Sequence, residues 1–441
     1  MIGKIKSRFN NDSWDLLSST VGAFLARSLG AVGQFLFTVY LGRTLGAEGS
    51  GVYMLALSTS VAGSVLGRAG LDLTLVRFTS ISFLKNDYRQ LKNNFQKTIL
   101  LGTSFSLIIV GVIFVLSPWL CREILNNESL IEPLRWMSLS ILPFSVLNII
   151  AEGLRGIKKI LYANLVQATF LPIFNILYFS IFLHYGLETQ GAIYSYFASC
   201  VTSVLIGLFF WFKVTASQQG STQKNPLLSL SEILKVSLPT LWITLMGMAS
   251  GLAETFIMGL YHSPKDVGVF SAAVRLSLLI SFVLVATNSF LGHKFAQLEK
   301  GNYLKTEKLA QLGTKIMVLS ALPLILLYLI FPSYILSIYG PEFKAGAVTL
   351  VILTLGQAYH VFTGSADLLL LMGGHEKSLQ KITTFAVIVN IICGFILVPS
   401  LGATGAAIAT IAGIITSKTL SLIISRRKTK VSTIPWTSGQ E

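Results

Sequence analysis

Long apolar stretches separated by short polar breaks dominate the chain. A membrane-crossing helix needs about 20 apolar residues, and stretches of that kind lie near 16–41, 49–68, 97–118, 134–152, 163–184 and 190–212. A polar linker, "TASQQGSTQKNP" from Thr215 to Pro226, separates them from a second set near 233–260, 266–291, 313–332, 345–372, 380–398 and 402–424. The pattern predicts an all-α integral membrane protein of about twelve transmembrane helices in two six-helix lobes. The expected division is an N-terminal lobe over 1–213, a cytoplasmic linker over 214–232, a C-terminal lobe over 233–426 and a cytoplasmic tail over 427–441. Pro143 and Pro239 interrupt two of the stretches, and Pro172 and Pro323 fall inside others. Proline frees a carbonyl and kinks a helix, and broken helices are common in transporters.

The two sets read as one unit written twice. "GRTLGAEGSGVYMLALS" from Gly42 answers "GLYHSPKDVGVFSAAVRLS" from Gly259 at an offset of 217 residues, pairing Gly51 with Gly268 and Tyr53 with Phe270. "LRGIKK" from Leu154 meets "LMGGHE" from Leu371 at the same offset, and "QGAI" from Gln190 meets "TGAA" from Thr404 at 214. A drift of this size is what a shorter loop causes.

Composition agrees with the pattern. Of the 441 residues 53% are hydrophobic and only 12% charged, against about 25% charged in a soluble domain. The net charge of +15 reflects basic residues gathered on one side of a membrane rather than nucleic-acid binding. Lys4, Lys6, Arg8, Arg68, Arg77, Lys85, Arg155, Lys158, Lys159, Lys213, Lys294, Lys308, Lys377 and Arg426 fall on one side, against Arg43, Arg122, Arg135, Lys265 and Lys344 on the other. The positive-inside rule then places both termini in the cytoplasm of a multi-pass protein of the inner (plasma) membrane. Each half has an even number of spans, so the copies share one orientation, related by an axis along the membrane normal. The N-terminal stretch has no small-residue cleavage site, so no cleaved signal is expected. Phe9, Trp14, Leu16 and Leu17 suit the interface. Cys121, Cys200 and Cys393 fit neither a metal site nor a disulfide framework.

Polar groups inside spans are expensive and are therefore candidates for function. Arg27 shares a helical stripe with Thr20, Ala31, Gln34 and Thr38. The repeat-equivalent stripe is Thr240, Thr244, Gly247, Gly251 and Glu254; both stripes are expected to face a cavity between the halves. Arg275 lies in the next span, where an ion pair with Glu254 is expected, because buried charges persist by pairing. A third stripe holds Thr349, Gly356, His360, Thr363 and Asp367. Glu152, Arg155 and Asp72 sit at span ends, where solvated or structural roles are expected. The candidate substrate-binding residues are Arg27, Gln34, Arg275 and Thr244. The candidates for ion coupling or gating are Glu254, Asp367 and His360. Enzymatic chemistry finds no foothold: there is no GxxxxGK[ST], HExxH or CxxC and no nucleophile-elbow pattern. The chain is therefore not read as an enzyme, and no catalytic residue, resident metal or cofactor is expected beyond Na+ or H+ as a coupling ion.

The order and spacing of "YLGRTLGAEGSGVYMLALS", "GLDLTLVRFTS", "EGLRGIKKILYANLVQ" and "LVPSLGATGAAIAT" resemble the polysaccharide-biosynthesis (O-antigen flippase) branch of the multidrug/oligosaccharidyl-lipid/polysaccharide (MOP) exporter superfamily, over nearly the whole chain. The resemblance implies a transporter of two six-helix lobes. It implies a flippase moving an undecaprenyl-pyrophosphate-linked oligosaccharide from the cytoplasmic to the outer leaflet for polysaccharide or O-antigen export. It also implies cationic residues in a central cavity, a description that Arg27 fits by type and place. The expected partners are the lipid-linked glycan, the bilayer and the polysaccharide polymerase and chain-length machinery, with no nucleic acid. An ion-coupled multidrug/cation antiporter of the same superfamily is the alternative, which an arginine-lined cavity opposes. A membrane polysaccharide polymerase or ligase is a further alternative, which short outer loops and doubled halves oppose.

Overall fold

The computed structural model describes residues 11–216, 229–297 and 303–434. The interfacial N-terminal segment before Asn11, the linker residues 217–228 and the tail from Pro435 lie outside the described residues, as does the side chain of Thr20. Among the described residues the chain is all helical. The helices are α1 (Asn11–Arg68), α2 (Leu71–Leu84), α3 (Tyr88–Trp119), α4 (Ile131–Ser138), α5 (Ile141–Gly156), α6 (Ile160–Asn164), α7 (Leu171–His184) and α8 (Thr189–Ala216). They continue with α9 (Leu230–Tyr261), α10 (Pro264–Gln297), α11 (Tyr303–Ile330), α12 (Pro332–Leu336), α13 (Ala347–Thr363), α14 (Ala366–Met372) and α15 (Glu376–Thr429). Among the described residues eight helices are long and apolar enough to cross a membrane, or ten if two bent pairs each count as one span.

Where the helices break has local causes. α1 runs for 58 residues but turns at Gly46 (φ 67°, ψ −170°), and α15 runs for 54 and turns at Gly402 (φ 55°, ψ −132°). Both conformations favour glycine. The stretch expected as one span over 134–152 is two helices, α4 and α5, bent by 40°. The break falls before Pro143 rather than at it, because proline in a first turn has no hydrogen bond to lose. The stretch over 345–372 divides into α13 and α14 at Gly364 (φ 65°). A π-helical turn, Leu165–Phe170, joins α6 to α7. At the start of α9, Ser229 and Glu232 form a capping box: the Ser229 N–H donates to Glu232 Oε2 at 2.6 Å, and the Glu232 N–H donates to Ser229 Oγ at 3.2 Å.

The chain divides into two compact units, Met1–Thr44 with Ala56–Leu245, and Leu45–Leu55 with Met246–Glu441. In the first, α2, α3, α5 and α8 enclose Leu75, Leu91, Phe95, Ile149, Ile150, Leu154 and Trp211. Phe95 stacks on Trp211 at 3.8 Å between centroids, over Gly153, where a Cβ would stand 3.1 Å from the indole. Lipid tails are as apolar as leucine, so close packing of this kind, rather than transfer from water, holds helices together.

In the second unit the segment Leu45–Leu55 lies against the start of α10. A Cβ on Gly51 would run into the Pro264 carbonyl oxygen, and one on Gly268 into the Ala47 carbonyl oxygen. Each glycine's Cβ position is about as close, 3.0–3.1 Å, to the other's nitrogen. Ala47 and Pro264 are 217 residues apart in sequence, as are Gly51 and Gly268. The contact is therefore self-complementary across the repeat, in the manner of an isologous interface. Glu342 completes it, its Oε2 accepting the Ala47 N–H at 3.0 Å where the helix resumes after Gly46.

Candidate functional site

The first half of α1 presents three faces. Leu25, Leu29, Val32 and Leu36 form an exposed apolar stripe. Ala23, Ala26, Gly30, Gly33 and Phe37 form the packed face. Arg27 and Gln34 lie roughly half a turn away from the apolar stripe at 3.6 residues per turn, Arg27 exposed and Gln34 half-buried. Among the described residues Arg27 makes no hydrogen bond or ion pair. Thr38, expected on the same stripe, is buried and donates to the Gln34 and Phe35 carbonyls of its own helix.

A polar network grips the packed face. Asn164 Nδ2 donates to the Ala23 carbonyl at 3.0 Å, and Thr169 Oγ1 to the Ala26 carbonyl at 2.6 Å. Arg155 Nη2 donates to Asn164 Oδ1 at 3.3 Å and also to Gln167 Oε1, while its Nη1 pairs with Glu152. Gln167 Nε2 donates to Asn148 Oδ1 at 2.6 Å. Glu152 and Arg155 are thus half-buried in a network and not solvated at a span end, because α5 continues to Gly156 and meets the π turn that carries Gln167. Asp72 pairs with Arg68, 3.8 Å apart, and both are buried.

The second stripe does not stay together. Thr240 donates to the Gly70 carbonyl at 2.8 Å and Thr244 to the Thr240 carbonyl at 3.2 Å, both within the first unit. Gly247, Gly251 and Glu254 instead line a cavity of about 470 Å3 inside the second unit, between α9, α10, α13, α14 and α15. Glu254 is 4% exposed. Its Oε1 accepts from Asn390 Nδ2 and, at 3.1 Å, from Thr410 Oγ1. Asn390 Nδ2 also reaches the Ala409 carbonyl at 3.3 Å, and its Oδ1 is buried without a hydrogen-bond partner. Further along the cavity Asp367 Oδ2 is paired with Lys418, and His360 and Gln357 complete the wall. Of the third stripe only His360 and Asp367 reach the cavity; Thr349 and Thr363 are buried in helix packing.

Arg275 does not pair with Glu254. The cavity face of α10 is Phe270, Val274, Ser277, Leu278 and Ser281, and Arg275 falls one step past Val274, roughly 100° around the helix. Its Nη2 points to Met54 Sδ at 3.2 Å, beside Tyr53 and Tyr339. The expected pair fails on helical phase, and the Glu254 carboxylate is served by neutral donors instead. Sequence reasoning also passed over Asn390, Thr410 and Lys418. Lys418 carried its own signal, since a lysine inside an apolar span is costly wherever it lies.

Around Glu254 stand carboxylate, amide Oδ1, hydroxyl and carbonyl oxygens, together with the Asn390 amide nitrogen that donates to the carboxylate and to the Ala409 carbonyl. Such oxygens suit a hard cation, and the orphaned Asn390 Oδ1 is an acceptor in want of one. Among the described residues no three His, Cys, Asp or Glu side chains come together.

Comparison with known proteins gives a consistent picture. Stage V sporulation protein B of Bacillus subtilis is 23% identical over 261 residues, 57% of this chain and 50% of that protein. The probable low-salt glycan biosynthesis flippase Agl15 of Haloferax volcanii is 24% identical over 405 residues, 90% of this chain and 80% of that protein. The chain thus spans half the length of the first relative and four-fifths of the second. Among solved structures, the lipid II flippase MurJ in an inward closed conformation superposes with a TM-score of 0.72 at 16% identity, covering 92% of this chain and 87% of that one. An inward-facing MATE-family multidrug resistance transporter of the MOP superfamily superposes at 0.70 with 18% identity, covering 90% and 94%. The fold is that of the MOP transporters. The profile of the family described as polysaccharide biosynthesis protein matches residues 16–292, and the chain belongs to that family.

Proposed function

We propose that the protein is a flippase that carries an undecaprenyl-pyrophosphate-linked oligosaccharide from the cytoplasmic to the outer leaflet of the inner membrane by alternating access, for polysaccharide or O-antigen export. In this reading the two kinked helices α1 and α15 each cross twice, giving twelve crossings in two six-helix lobes with both termini cytoplasmic. A polymerase and chain-length machinery act on the product. The observation that carries the reading is Arg27. It is an exposed guanidinium within an apolar helix, opposite the apolar stripe, with no carboxylate partner among the described residues. A mid-bilayer arginine costs about 2.5–3.5 kcal/mol on insertion scales. A pyrophosphate offsets that cost, because the planar guanidinium fork suits phosphate oxygens and stays charged when desolvated. Gln34 adds an amide on the same face and Thr244 a hydroxyl, and Arg275 is the second cationic candidate. Outward movement of the anion is favoured by the membrane potential, about 2.3 kcal/mol per charge per 100 mV. A cation, Na+ or H+, entering the Glu254 cradle would supply further coupling or reset the empty carrier.

The test is export of surface polysaccharide in a flippase-deleted strain. Arg27→Ala abolishes export at normal protein level and Arg27→Lys keeps part of it; full export by Arg27→Ala overturns the pyrophosphate assignment. The cation antiporter remains the second reading, because the cavity of the second unit holds two carboxylates. A drug-efflux phenotype that survives Arg27→Ala and is lost in Glu254→Gln would select it.

A further inference from the structure

Among the described residues the ionisable side chains lining the cavity of the second unit are Glu254, His360, Asp367 and Lys418. With the imidazole neutral, two carboxylates face one ammonium. With both carboxylates ionised, the described wall is one positive charge short of neutrality, and because an uncompensated charge in a low-dielectric interior is costly, a proton or a cation has to accompany it.

The single ammonium is committed. Lys418 pairs with Asp367 Oδ2, and its side chain is 14% exposed against 35% for Asp367. It does not serve Glu254. Thr410, which bonds Glu254, lies eight residues before Lys418 on the same helix, roughly 12 Å along the axis at 1.5 Å per residue. Among the described residues the other polar groups of the cavity wall are neutral, Gln357 from α13, Ser277 and Ser281 from α10, and Thr383 and Ser417 from α15 among them. Asp367 also has coordinating capacity to spare: its Oδ1 is buried, and beyond Lys418 the carboxylate meets only the neutral Ser421 hydroxyl and His360 among the described residues.

We propose that Lys418 is a tethered cation. Its ammonium permanently fills, at Asp367, a site that would otherwise take a dissociable monovalent cation, so the cavity accepts one free cation, at Glu254, and not two. An ammonium and a dehydrated alkali cation both present a compact single positive charge to carboxylate oxygens. The difference is that the ammonium cannot leave. The proposal rests on the reading of the Glu254 cradle as a cation site, and it fixes the stoichiometry of that reading.

The experiment uses the purified full-length protein and follows its thermal unfolding against NaCl at pH 8, with choline chloride holding ionic strength constant. The slope of stability against ln[Na+], in units of RT, equals the number of cations bound to the folded state. Wild type responds as a single site. Lys418→Ala, and Lys418→Met as the variant that keeps the stem's packing, gain a second sodium-dependent component, with the slope rising from about one towards about two. Lys418→Met with Asp367→Asn returns to one site. Where wild type responds as one site, a single-site curve in both Lys418 variants overturns the tethered-cation assignment, as does a second component that persists in the double variant. If wild type shows no sodium response while the Lys418 variants gain an Asp367-dependent one, the Glu254 reading fails and the tethered cation stands.

Discussion

The same frame is filled in one unit and hollow in the other. At the offset of 217 residues Glu254 corresponds to Phe37, and at 214 Thr410 corresponds to Tyr196, Ala409 to Ser195 and Gly413 to Ser199. Asn390 and Asn175 stand 215 apart, an intermediate value to which the π turn Leu165–Phe170, adding one residue to the first unit where α15 has none, contributes one of the two residues of drift from 217. The two asparagines occupy related settings: Asn390 reaches the Ala409 carbonyl, and Asn175 Oδ1 accepts from Ser195 Oγ at 2.6 Å. Where the second unit has a carboxylate beside a cavity, the first has Phe37, fully buried, its ring edge-on to Phe179 at 6.1 Å with Tyr40 on the same ring at 5.2 Å. Duplication preserved the helix packing and the amide. One aromatic in place of one carboxylate, and a serine in place of a glycine, separate a packed core from a cavity.

The comparison can be broken at each position. The largest effect is expected at the filled side: Phe37→Ala removes a buried ring and costs about 3–5 kcal/mol of stability, read by thermal unfolding, while the sodium response of the second unit persists. A lost sodium response would show that the two frames are not independent. Next is the hollow side. Glu254→Gln removes the carboxylate from the cradle and weakens cation stabilisation by at least about tenfold, as expected for a charge-assisted contact; an unchanged sodium titration would remove the cradle from the coupling scheme. Gly51→Ala and Gly268→Ala follow, each overpacking the repeat-related contact by about 1–3 kcal/mol. Because the two glycines touch, the double variant costs less than the sum, and strict additivity would mean that the contact does not form in the membrane. The smallest effect belongs to a position outside both frames. Ser229→Ala removes the α9 cap at about 1 kcal/mol. The Ser229 backbone and hydroxyl hold the Glu232 carboxyl below its usual range. Its contribution is therefore full above the unfolded value of about 4.3 and fades as pH falls through the lower folded value. A cap effect that is flat from pH 7 to 3 would exclude this bond.

What the sequence showed, and what it withheld, follows from which interactions are periodic. The apolar stretches, the repeat and the polar stripes repeat at helical or repeat spacing, so the all-helical architecture, Arg27 and Glu254 stand out along the chain. Partners do not. Glu254 meets Asn390, 136 residues away, and Asp367 meets Lys418, 51 residues away; no local pattern encodes either pair. The expectation that Arg275 meets Glu254 rested on proximity along the chain, and a single residue of helical phase undid it. Glu152 and Arg155 misled in the opposite sense. They read as an end of a span, but the π turn, which has no sequence signature of its own, delivers Gln167 to them.

The contact of Gly51 with Gly268 also sets a timetable. Residues Leu45–Leu55 belong to the unit completed by Met246–Glu441, so their packing surface leaves the ribosome 217 residues ahead of its counterpart. At about 5–20 residues per second the wait is on the order of 10–40 s. During that interval a nascent first half carries a glycine-lined helix surface whose complement, by the repeat, is a near copy of itself. Two nascent chains on one polysome are each other's nearest substitutes for the missing partner, and the rate at which the second half is made decides whether Gly51 finds Gly268 or the Gly51 of a neighbour.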